Sequence, residues 1–234
     1  MLANSGYGTR SEVRKLITRG LVCINGEVCK DAGIGVKETD VVEIAGNVCE
    51  AKEHLYFKFD KPDSVLTAME DKRLTTIADF IPASLMTKKL SPVGRLDYHT
   101  TGLLIITNDG ELSHRLTSPK YKIPKTYEIT FEGNPVSPEM IEIFSKGFTL
   151  DDMDKPVKLA PSILVSIDDN HCRLTIKEGK THQVRRMMAK FNRSVTELRR
   201  ISIGEILVPE QKEGILIEMP SSDVEYILKE TGLI

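Results

Sequence analysis

Arg95 and Asp97 stand in one short stretch, Val93-Gly94-Arg95-Leu96-Asp97-Tyr98-His99-Thr100-Thr101-Gly102. A carboxylate held on such a loop can attack an electrophilic carbon or take a proton. Two glycines bracket the pair, and an apolar run follows at once. Polar groups presented from a loop by a rigid scaffold are a common way of building an active site. Asp and Gly are also ordinary turn residues, so a plain surface ion pair is the competing reading. Two further groups decide between them: Tyr127 in an alternating run, and a basic block from Glu178 to Met187.

The elements that must position these groups can be read from periodicity. Leu103 to Ile106 is a short apolar run with the length of a strand. Asn108 with Glu111 has the form of a capping box, which predicts a helix from Asn108 to Ser118. Lys125 to Phe131 alternates as a strand, placing Tyr127 inward with Ile129 and Phe131. Pattern alone favours a core tyrosine with a bonded hydroxyl. Ser137-Pro138 opens a helix that Gly147 stops. A hairpin follows over 163–176, then a helix from Gly179 to Phe191 and a basic strand from Val195 to Ile203. On that helix Val184, Met187, Met188 and Phe191 form the apolar stripe, with His182, Arg185 and Arg186 opposite.

Ahead of this lies a small unit over residues 1–46. It reads as a helix from Ser11 to Arg19, a hairpin turned by Asn25-Gly26 and a strand from Asp40 to Ile44. A polar linker over 47–54 leads to a strand at Leu55 to Phe59, ended by Asp60-Lys61-Pro62. Residues 55–234 then form one larger domain. Hairpins mixed with helices predict an α+β fold on a mixed, largely antiparallel sheet.

Composition bounds the function. The chain has 234 residues, 40% hydrophobic and 28% charged, with no apolar run near the length of a membrane span. No P-loop, dinucleotide fingerprint, Cys/His metal spacing or signal peptide is present, and the four cysteines are expected as reduced thiols of a cytoplasmic protein. The net charge is −2, but residues 171–204 carry nine basic and two acidic side chains, a local +7. The remaining tail has seven acidic residues against two lysines. A local basic surface is what a polyanion meets within a Debye length.

Gly94-Arg95-Leu96-Asp97, Lys125-Thr126-Tyr127, the block Glu178-Gly179-Lys180-Thr181-His182-Gln183-Val184-Arg185-Arg186-Met187, and Leu198-Arg199-Arg200-Ile201-Ser202-Ile203-Gly204 follow one another in this order. Together they resemble the pseudouridine synthases, most closely the branch of ribosomal small-subunit pseudouridine synthase A, over essentially the whole chain. Residues 1–46 resemble the S4 RNA-binding module through Thr9-Arg10-Ser11-Glu12, Leu16-Ile17, Gly20 and Val22 to Gly26.

The resemblance implies isomerisation of a uridine in ribosomal RNA. The bond from N1 of uracil to C1′ of ribose breaks, the base turns, and C5 takes the place of N1. No atoms enter or leave, so no cofactor and no metal are implied. Asp97 becomes the catalytic carboxylate, Arg185 its ionic partner, and Tyr127 the residue packed on the base. Arg95 would fill the gap left by the flipped nucleotide. Arg10, Arg14 and Lys15 of the S4-like helix, together with Lys61, Lys180, His182, Gln183, Arg186, Arg199 and Arg200, would contact RNA. The implied partner is small-subunit 16S rRNA or a subunit assembly intermediate, met by a monomer. Large-subunit 23S rRNA and a catalytically silent assembly factor are the alternatives.

Overall fold

The structure is a computed structural model. It describes residue 2 and residues 7–37, 40–49, 54–152 and 155–234. They divide into two compact units, Met1–Leu55 with Ile81–Leu90, and Tyr56–Phe80 with Ser91–Ile234.

In the first unit, helix α1 (Arg10–Thr18) starts at Thr9. The Thr9 hydroxyl accepts from the Glu12 amide, and the Glu12 carboxylate accepts from the Thr9 amide at 2.7 Å, closing a capping box. Strands β1 (Val22–Ile24), β2 (Glu27–Val28), β3 (Val42–Ile44) and β4 (Asn47–Cys49) form a sheet in the order β2-β1-β3-β4. Asn25 and Gly26 both take positive φ, 52° and 84°, as a two-residue hairpin turn requires. Ala45 and Gly46 repeat the device at 51° and 81°. That second turn corrects the expected linker over 47–54: Asn47–Cys49 folds back onto β3 and belongs to the sheet. Residues 50–53 of that stretch lie outside the described residues. Val13, Ile17, Val22, Cys29, Val42 and Cys49 fill the small core.

The second unit runs β5 (Tyr56–Lys61), β6 (Ser91–Pro92), β7 (Thr100–Thr107), α2 (Gly110–Thr117), β8 (Lys125–Glu132), α3 (Pro138–Lys146), β9 (Thr149–Leu150) and β10 (Val157–Lys158). It continues through β11 (Ile163–Ser166), β12 (His171–Ile176), α4 (Gln183–Lys190), β13 (Ser194–Ile203), β14 (Ile206–Leu207), β15 (Leu216–Glu218) and α5 (Ser221–Glu230). Nine strands form one sheet in the order β11-β12-β8-β13-β7-β5-β15, with β14 on β13 and β6 on β7. Among the strands of the described residues only β13 and β7 pair in parallel, so the expected mixed, largely antiparallel α+β architecture is present. Leu103, Leu104, Ile105 and Ile106 of β7 have no exposed surface. A central strand covered on both faces reads as a continuous apolar run for that reason.

Two helix starts differ from expectation. Helix α2 is capped by Asp109 rather than Asn108; the Asp109 carboxylate accepts from the Leu112 amide and also from the Tyr56 hydroxyl at 2.9 Å. Helix α4 begins at Gln183, not Gly179, because Gly179 to His182 stay outside the helix and His182 takes a left-handed conformation, φ 50°. Among the described residues no helix is long and apolar enough to cross a membrane.

Candidate active site

Five segments converge on one cavity of about 540 Å³. They are the loop between β6 and β7, the end of α2, the start of β8, the loop before α4, and the bulged part of β13. Its walls include Arg95, Asp97, Lys125, Tyr127, His182 and Arg200.

The loop bearing Asp97 is fastened on both sides. The Thr67 hydroxyl accepts from the Leu96 amide at 3.2 Å and donates to the Leu96 carbonyl at 2.7 Å. The Thr100 amide donates to the Asp97 carbonyl at 3.0 Å, at the entry to β7. Lys61 donates to the carbonyls of Pro62, at 2.9 Å, and Tyr98, at 3.2 Å. With its neighbours held, Leu96 packs into the core and Asp97 stays half-buried at the cavity wall.

Arg185 does not pair with Asp97; the hydrogen-bond partner of that carboxylate is His182, whose Nδ1 donates to it at 2.9 Å. Arg185 instead donates to the carbonyls of Val195, at 2.9 Å, and His99, at 3.1 Å. The late start of α4 explains the exchange. The left-handed turn brings His182 to Asp97, and Arg185, on the first turn of α4, reaches a backbone carbonyl two residues beyond Asp97. Arg185 therefore ties the end of the Asp97 loop to β13.

Tyr127 points inward from β8, 8% exposed, and lines the cavity. Arg95 and Lys180 are exposed at the same cavity, and His182 is exposed beside them. Arg14 and Lys15 lie exposed on α1 in the first unit. The Arg10 side chain lies outside the described residues.

The remaining expected RNA contacts are buried or engaged within the protein. Lys61 has no exposed surface, and burial lowers its pKa to about 8 despite the carboxylates of Asp63, Asp97 and Glu213. Gln183 is buried; its amide donates to Glu178 and accepts from the Lys180 backbone, pinning the loop before α4. Arg186 forks onto both oxygens of Asp152 at 2.8 and 2.6 Å. Arg199 pairs with the buried Asp60 at 2.6 Å. Arg200 is 3% exposed, with its Nε donating to the Leu103 carbonyl. A basic side chain reads alike in sequence whether it faces solvent or an acid 139 residues away, as Arg199 does.

Lys125 is a cavity residue that sequence reasoning passed over. Strand alternation was the available signal, since residues two apart in β8 share a face and Lys125 thus accompanies Tyr127. Burial, with Arg200 nearby, lowers its pKa to about 8.

This arrangement offers a carboxylate beside an aromatic wall in a cavity of the size used for small ligands. Among the described residues no group of His, Cys, Asp and Glu could hold a metal ion.

Comparison with known proteins agrees with the geometry. The family model described as RNA pseudouridylate synthase matches residues 55–190, and that of the S4 domain matches residues 1–42. An uncharacterised RNA pseudouridine synthase of Bacillus subtilis is 38% identical over 230 residues, covering 97% of this chain and 96% of that protein. The ribosomal small subunit pseudouridine synthase A of Haemophilus influenzae is 35% identical, with 94% of each chain covered. The ribosomal large subunit pseudouridine synthase B of Bacillus subtilis is 36% identical, covering 86% of this chain and 82% of that one. A crystal structure of a pseudouridylate synthase superposes with a TM-score of 0.69 at 34% identity, over 97% of this chain and 96% of that one. With most of its cavity lined by the matched segment and its first unit matching the S4 domain, the chain belongs to the RNA pseudouridylate synthase family.

Proposed function

We propose that this protein converts one uridine of 16S small-subunit ribosomal RNA to pseudouridine, acting in the cytoplasm as a monomer with Asp97 as its catalytic carboxylate. The observation that carries the reading is the placement of Asp97: half-buried at a cavity wall, on a loop fastened by Thr67, Lys61 and Arg185, and facing the same space as Tyr127. Asp97 opens the reaction at the ribose, either by attack on C1′ or by removal of a ribose proton, and the N1–C1′ bond breaks. The base turns and C5 bonds to C1′, as the Asp97–C1′ bond breaks on the first route or as the proton returns from Asp97 to the ribose on the second. The proton on C5 then leaves and N1 gains one, so the product is an isomer of the substrate.

Each wall has a part in this. His182 holds the Asp97 carboxylate through Nδ1, so the carboxylate keeps its direction. Tyr127 supplies an apolar face for the flipped base, with its hydroxyl near the late proton transfer. Arg95, exposed at the rim, takes the place of the flipped nucleotide in the stack. Arg14 and Lys15 of the S4 unit contact phosphates, which fix position rather than read sequence.

The small-subunit target is supported by the relative of that name from Haemophilus influenzae. The large-subunit relative, matched at nearly the same identity, favours a second reading in which the chemistry is the same and the substrate is 23S rRNA. A pseudouridine map of rRNA from cells lacking this protein, incubated with wild type and with Asp97→Ala, separates these. One new site in 16S rRNA, absent with the variant, is expected. A new site in 23S rRNA transfers the substrate to the second reading, and no new site in either RNA contradicts both.

A further inference from the structure

Arg200 is a cation with an unanswered donor. It lies on β13 beside Gly102 of β7 and opposite Tyr127 of β8. The register of β13 against β8 shifts between Arg200 and Ser202, and such a bulge re-aims the side chain next to it. Its Nε donates to the Leu103 carbonyl at 2.8 Å. Its Nη2 is buried and has no acceptor among the described residues. The Thr100 hydroxyl, 2% exposed on the same cavity, is likewise without a partner among them. Lys125 stands close enough for Arg200 to push its pKa down, and its ammonium makes one long bond, 3.4 Å, to the Ile123 carbonyl.

The carboxylates of the cavity are answered by other groups. Asp97 is bonded by His182, and Glu178 by Gln183 and the Ala160 amide. Buried donors in proteins are nearly always answered, so an unanswered pair in a cavity points to an acceptor brought by the ligand. Guanidinium and ammonium groups only donate. The group they face must therefore accept, as a ring carbonyl or a phosphate oxygen does. Depth separates these. Arg200 is 3% exposed, whereas Arg95 and Lys180 stand exposed on the same cavity, where a phosphate chain can pass.

We propose that Arg200 and Lys125 donate to a carbonyl oxygen of the flipped pyrimidine and thereby make the site select uracil over cytosine. The proposal rests on the reading of this cavity as the uridine site. Uracil presents a carbonyl acceptor at C4, whereas cytosine presents an amino donor. A donor facing donors is left unbonded, and a site built to bond one group rejects the analogue that lacks it. Thr100 is available to the second carbonyl or to the ring N–H, since a hydroxyl both donates and accepts.

The test uses full-length protein and two RNA fragments centred on the uridine found by mapping. The fragments carry uridine or cytidine at that position, in an unpaired context. Wild type is expected to bind the uridine form at least about tenfold more tightly, the lower end of what one well-made base contact gives. Arg200→Met and Lys125→Met should each bring that ratio to about threefold or less, with KM for the uridine form rising more than kcat falls. Thermal melting establishes that each variant is folded. Lys125→Met carries the test if Arg200→Met does not fold, since its ammonium has the weaker internal bond. An unchanged ratio in folded variants overturns the proposal. Equal weakening of both RNAs with a shallower salt dependence also overturns it, placing the pair on a phosphate. Wild type that forms no pseudouridine removes the uridine-site reading itself, an outcome visible without any variant.

Discussion

Lys61 shows how a buried residue can hold the site in place. Its chain is wholly buried, and its ammonium ties the Tyr98 carbonyl, one residue beyond Asp97, to the end of β5. Burial lowers its pKa from 10.5 to about 8. Below pH 8 the folded and unfolded chains both hold this proton, and the cost of burying the charge is fully present. Between pH 8 and 10.5 the unfolded chain binds more protons, so the contribution of Lys61 to stability rises with pH. Urea midpoints of wild type minus Lys61→Met should therefore increase from pH 7.5 to 10; a flat difference would show that the ammonium is not held charged and buried. His182→Ala belongs to the same scale. Freed of its partner, the half-exposed Asp97 loses direction rather than fold, so kcat should fall about 10- to 100-fold with melting nearly unchanged. Equal kcat would remove His182 as the positioning residue. Asp97 and Tyr127 were legible because each sits in a short motif whose neighbours fix its surroundings. His182 as the partner was not, because a single left-handed residue decided which side chain of the Lys180 to Arg186 block reaches Asp97.

At the scale of elements, the junction of β7 and β13 sets the site. Gly102 has φ +99°, and a Cβ there would overlap the Arg200 carbonyl oxygen and lie 2.8 Å from its amide nitrogen. Gly102→Ala should thus cost about 3 kcal/mol or more, a fall in Tm of roughly 6 °C or more, by parting β7, which follows the Asp97 loop, from β13, which carries Arg200. Gly110→Ala is the control: a Cβ there meets nothing within 4 Å, and the position opens α2, so little change or a small gain is expected. A melting temperature unchanged by Gly102→Ala would mean that the strands are not this close. Strand β7, the β11–β12 hairpin and α3 follow from period, turn and cap signals. The parallel pairing of β13 with β7 does not, because pairing between strands about ninety residues apart leaves no local mark. The choice of Asp109 over Asn108 as cap is of the same kind, since the Tyr56 hydroxyl that favours it lies 53 residues away.

Over the whole molecule, the basic segment is less free than its sequence charge suggests. Arg173, Arg186, Lys190 and Arg199 are paired with Glu128, Asp152, Asp151 and Asp60. On the proposed function, the exposed cations Arg14 and Lys15 of the S4 unit would take a larger share of phosphate binding. Arg14→Ala with Lys15→Ala should weaken rRNA binding and lower its salt slope by about 0.7 to 0.9 for each phosphate that is no longer neutralised. An unchanged slope would mean that α1 does not touch RNA. The two-part plan of the chain was legible, because a small helix-and-hairpin unit precedes a longer run of strands. The strand at Asn47–Cys49 was missed, because its turn at Ala45-Gly46 carries only one of the residues that announce a hairpin.

The most direct measurement of the central claim is the rate of pseudouridine formation by Asp97→Asn, beside wild type, on rRNA from cells lacking this protein. Asparagine keeps the size of the side chain and removes the charge. A loss of at least about 1,000-fold in turnover is expected, with rRNA binding within about tenfold of wild type, or roughly 1.4 kcal/mol. Turnover within a few fold of wild type would contradict the assignment of Asp97, and with it the reading of the cavity built around that carboxylate.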